Sequence, residues 1–98
     1  MKKTVVGLIT PHLLAIIDLA KMAESGTNVD WHLKDAVKKS VDDLIHQSNA
    51  RDLILALIQG LESSAEDAGR MRQTYARALL AAAASARKNL EDHDREMG

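Results

Sequence analysis

Between Ala50 and Leu90 the apolar residues keep a single helical phase, and this regularity constrains the fold more than any other feature of the chain. At about 100° per residue, Ala50, Leu53, Ile54, Leu57, Ile58, Leu61, Ala65, Ala68, Met71, Tyr75, Leu79, Ala82, Ala83, Ala86 and Leu90 fall within roughly 70° of one line on an ideal wheel. A strand would repeat every second residue instead. Gly60 and the run ESSAED (62–67) could end one helix and start another, because Ser63 and Glu66 have capping-box spacing. The unbroken phase favours one helix over 50–92, at most bent or broken near 60–64, since Gly60 alone costs only about 1 kcal/mol relative to alanine. At about 1.5 Å per residue it would be about 60 Å long, too long for two shorter helices of the same chain to cover. The expectation is a homodimer with two-fold symmetry and a shared core, its interface carried by Leu57, Leu61, Met71, Tyr75 and Leu79.

The first half of the chain also reads as helix. Thr10-Pro11 makes a good entry, with threonine as cap and proline at the first position, where its missing N–H costs nothing. A helix over about 11–24 follows, stopped by Ser25-Gly26, where glycine can take the left-handed closing conformation. Leu13, Leu14, Ile16, Ile17, Leu19 and Ala20 surround it almost completely, so it demands burial on more than one side. A second helix over about 30–47, capped by Thr27 or Asp30, gathers Val29, Leu33, Ala36, Val37, Ser40, Val41 and Leu44 on one face. Trp31 falls nearly opposite that face, so it either staples against the first helix or stands on the surface. The fold class is all-α: one domain over 1–98, a helical bundle of three or four helices with a long C-terminal helix.

Composition supports this and removes several chemistries. The 98 residues include one tryptophan, one tyrosine and no phenylalanine, a poor supply for strands. Without cysteine there is no disulfide framework and no thiolate metal site, which fits a reducing, cytoplasmic setting. MKKTVVGLITPHLLAIIDLAKMAES has the outline of a secretory signal, but Pro11 and His12 interrupt the apolar run, Asp18 follows it and no A-x-A site is present. Neither a cleaved leader nor a membrane span is expected, and residues 4–9 read as an added helical turn or an extended arm. The serines lie outside any nucleophile-elbow or phosphate-loop pattern. Asp43 and His46, at i and i+3, could share one side of the second helix, yet a di-metal bundle needs a repeated Glu-x-x-His that is missing here. No catalytic residue, metal ligand or cofactor is expected.

What remains is RMRQTYARALLAAAASARK (70–88), with Arg70, Arg72, Arg77, Arg87 and Lys88 and no acid, in a chain of formal net charge −1. Arg70, Arg77 and Lys88 align opposite the apolar stripe, whereas Arg72 and Arg87 lie nearer to it, where their heads can meet acids on a neighbouring helix. A duplex reader would add base-reading side chains and a docking element, and a single-strand binder would add aromatic platforms. Neither is evident. The expected function is a small non-catalytic protein–protein interaction module, a regulator, adaptor or inhibitor of the kind that bacterial and phage accessory genes encode. Trp31, Arg70 and Arg77 are its candidate partner contacts. The alternative is a nucleic-acid-binding accessory protein using the basic face of 70–88.

Overall fold

A computed structural model describes residues 5–97, so Lys2, Lys3 and Thr4 of the signal-like segment lie outside the described residues. Among the described residues there are four α-helices, α1 (Val5–Glu24), α2 (Asp30–Leu44), α3 (Ala50–Ala68) and α4 (Gln73–Met97), with a 3₁₀ turn at Arg70–Arg72. No strand occurs among the described residues, and the all-α bundle takes the four-helix form.

α1 begins at Val5, not Pro11, which therefore sits inside the helix. Proline within a helix removes one hydrogen bond and crowds the preceding turn. The helix nevertheless continues through it, and Ile9, two residues before, is buried in the core. The Thr10 hydroxyl does not cap; it donates back to the Val6 carbonyl, a use of threonine found inside helices. The exit is as expected. Gly26 has φ 103°, its N–H reaches the Ala23 carbonyl and that of Thr27 reaches Met22, the paired bonds of a Schellman closure.

α2 ends at Leu44, earlier than 47, and its cap is displaced as well. Val29 holds the capping position and is 2% exposed, so burial of an apolar side chain wins over a polar cap there. Asn28 supplies the missing acceptor, taking the Asp30 N–H at 3.1 Å.

The single helix over 50–92 is corrected to an antiparallel hairpin of α3 and α4, and the break is at Gly69, not at 60–64. Gly69 has φ 62° and ψ −161°, a region that is essentially glycine-only. One residue turns the chain back while the helical phase on either side is preserved. Gly60 stays helical and serves contact: a Cβ there would lie 3.3 Å from Leu13 Cδ2, so its absence lets α1 approach α3. Folding the hairpin presses the two halves of the stripe together. Leu57, Leu61 and Leu79 are 0% exposed and Tyr75 6%, all within one chain. These four are therefore enclosed by the chain's own helices and not presented on its surface. Met71 lies in the 3₁₀ turn, off the stripe and 95% exposed.

The bundle measures 38 × 31 × 18 Å. α4 packs on α3, α1 and α2, and α1 packs on all three others, while α2 and α3 meet least. α1 and α4 thus face each other across the short diagonal and carry the two broad faces. Two ion pairs expected of the basic stretch form within the chain: Arg72 with Glu24 on α1, and Arg87 Nη2 with Glu62 Oε1 on α3 at 3.5 Å. Arg51 and Asp94 tie the start of α3 to the end of α4.

Candidate functional site

α1 and α2 form one hairpin and α3 and α4 the other, so the 25–29 loop and the Gly69 turn lie at the same end of the bundle. A clasp joins them. Arg72 donates from Nε and Nη2 to the two carboxylate oxygens of Glu24, each at 2.7 Å, and its guanidinium lies 3.9 Å from the centre of the Tyr75 ring. The bidentate bond holds the Glu24 carboxyl below its usual range and raises Arg72 further. Stacking on a buried ring fixes the plane of the fork, which a lysine could not reproduce.

The clasp leaves a cleft of about 430 Å³ beside it, floored by Val29, Leu33 and Ala78 and edged by Thr27, Asn28, Asp30, Thr74 and Arg77. A second depression, lined by Glu66, Gly69, Arg70, Gln73, Arg77 and Leu80 among others, lies on the other side of Arg77. Arg77 is the ridge between them. Arg70 sits in the turn, and Trp31 stands in the first turn of α2, next to Asp30 at the cleft edge. The three partner contacts expected from sequence are therefore brought to one end of the molecule, and all three are exposed.

Trp31 is 69% exposed, so it does not staple against α1. Its ring packs edge-on against the His32 ring with centroids 5.2 Å apart, which restrains it without burying it. Two residues earlier Val29 fills the available core position. The chain thus places a small apolar residue inside and its one indole outside.

The other candidates separate. Asp43 Oδ2 lies 3.9 Å from His12 Nε2 on α1 rather than beside a partner from its own helix, and His46 is exposed. Among the described residues no group of three or more His, Cys, Asp or Glu side chains comes together as metal ligands do. Lys88 shares a depression with Glu62, Arg87 and Glu91, and Arg70 and Arg77 share theirs with Glu66, so acids interrupt the basic face of α4. Sequence reasoning missed the clasp and the cleft. Glu24 and Arg72 are 48 residues apart, and nothing local to either announces the other.

Compared with protein-family models, curated proteins and solved structures, the chain matches none.

Proposed function

We propose that the protein is a small non-catalytic interaction module that binds a protein partner at the clasped end of the bundle, through Trp31, Arg77 and Arg70. The observation that carries this reading is the exposed indole of Trp31, one residue along from Asp30, which edges an apolar-floored cleft that Arg77 also lines. Tryptophan and arginine are enriched at the energetic centres of protein interfaces, tryptophan through a large contact area from two rotatable bonds and arginine through a planar fork of hydrogen-bond donors. The mixed charge around the cleft favours a protein with its own ion pairs over a uniform polyanion such as nucleic acid.

The test is to compare the proteins retained by immobilised wild type with those retained by Trp31→Ala and Arg77→Glu, then to measure the purified pair. A partner lost by both variants supports the reading, and hot-spot energetics of about 2 kcal/mol correspond to roughly 30-fold weaker binding for Trp31→Ala. Identical retained sets overturn it. Co-purifying material that absorbs at 260 nm and is stripped by salt transfers the site to nucleic acid, since phosphate contacts weaken steeply as salt rises.

A further inference from the structure

α1 is the most apolar helix of the chain and the least enclosed. Its mean hydropathy of 1.6 and length of 20 residues would suffice to cross a membrane, and only 17% of that stretch is buried. Ile9, Ile16 and Ala20 enter the core. Val6, Gly7, Pro11, Leu14, Ala15 and Met22 face outward, and the charges among them are Asp18 and Lys21. Neither makes an ion pair among the described residues. This outer face lies on the broad side of the molecule away from α4, and it includes none of Trp31, Arg70 and Arg77.

We propose that the C-terminal part of this face, from Leu14 to Met22, pairs with the same part of a second copy, antiparallel about a two-fold axis near Asp18. The register follows from spacing. Leu14 and Met22 stand four residues on either side of Asp18, so an antiparallel pair sets Leu14 against the partner subunit's Met22, twice. Ala15 and Lys21 stand three residues on either side, so the stem of the partner subunit's Lys21 crosses the small Ala15. At about 1.5 Å per residue its ammonium then reaches Asp18 from about 4.5 Å along the axis. One acid and one base three residues apart are self-complementary in this arrangement, and two lysines offset the approach of the two Asp18 carboxylates. Lipid is the poorer occupant, because Asp18 and Lys21 stand within the face and a charged side chain costs about 3 kcal/mol at the centre of the hydrocarbon.

The interface goes beyond the partner surface at the clasped end and stands or falls separately from it. Size-exclusion chromatography with light scattering on the full chain tests it, with circular dichroism confirming that the exposed substitutions keep the fold. Wild type is expected at twice 10.7 kDa. Asp18→Lys gives a face with two cations and Lys21→Asp one with two anions, so each alone is expected as a monomer. Mixed in equal amounts, they are expected to form a heterodimer. A monomeric wild type across its soluble range overturns the proposal, as do single variants that remain dimeric or a mixture that stays monomeric. A monomer that co-sediments with phosphatidylcholine–phosphatidylserine vesicles, and loses this with Leu14→Glu, also overturns it and gives the face to lipid.

Discussion

α1 and α3 differ by one residue in length and oppositely in what they do with apolar surface. α3 confines its large side chains to one stripe, and Leu53, Ile54, Leu57, Ile58 and Leu61 are all 0% exposed. α1 spreads a greater apolar content around its circumference, and only three of its described residues are buried. A helix can enter a two-layer bundle along little more than one face, so arrangement rather than amount decides how much of a helix the core accepts. The surplus on α1 is left to do something other than hold the monomer together.

The largest expected effect breaks or confirms that contrast directly. Leu61→Ala in α3 should lose about 2–5 kcal/mol, the transfer energy of the side chain plus the cavity left in an enclosed site. Leu14→Ala in α1 should change the stability of the monomer by no more than about 0.5 kcal/mol, as surface substitutions do. Urea unfolding of both variants at low protein concentration decides it. Equal losses would mean that α1 is enclosed after all and that the contrast is false.

A smaller effect separates two glycines that look alike in sequence. Gly69→Ala should cost about 1–3 kcal/mol, because alanine pays for the glycine-only backbone conformation that reverses the chain. Gly60→Ala should be milder, since the helix gains up to about 1 kcal/mol of propensity while Leu13, a flexible side chain, must give way. Thermal melting of the two variants ranks them, and a costlier Gly60 would place the reversal where the capping-box spacing of Ser63 and Glu66 suggested it.

That pair also marks how far the sequence could be read. Helix content, the buried stripe and the Gly26 stop were legible because each is a local pattern with a local cause. The Gly69 reversal was not, because a wheel records side-chain phase and is blind to the φ of one residue when the phase resumes correctly after it. The expectation of a dimer interface at Leu57, Leu61, Tyr75 and Leu79 rested on the unbroken helix: a stripe too long to cover becomes a stripe folded on itself, and these four are buried within the chain. Of the candidate site, Trp31, Arg70 and Arg77 could be named as exposed chemistry, but their placement at one end depends on the hairpins, and the cleft exists only between them.

The smallest expected effect concerns the clasp, the polar tie between α1 and the α3–α4 turn. Glu24 is held below the usual carboxylate range by the hydrogen bonds from Arg72, so the folded state binds its proton less readily than the unfolded chain does. The tie therefore contributes above the ordinary glutamate range, near pH 4.3, and is lost as pH falls through the lower folded value. Arg72 stays charged throughout, because the same bonds only raise it. Since the pair is open to solvent, its loss should loosen one end rather than unfold the bundle. Amide exchange at residues 69–73 should speed up on acidification relative to the Leu57–Leu61 core, once corrected for the intrinsic pH dependence of exchange. Glu24→Gln should show the loosened turn at every pH, with no further step. A Glu24 carboxyl resonance titrating in the ordinary range would show that α1 is joined to the α3–α4 turn by packing alone.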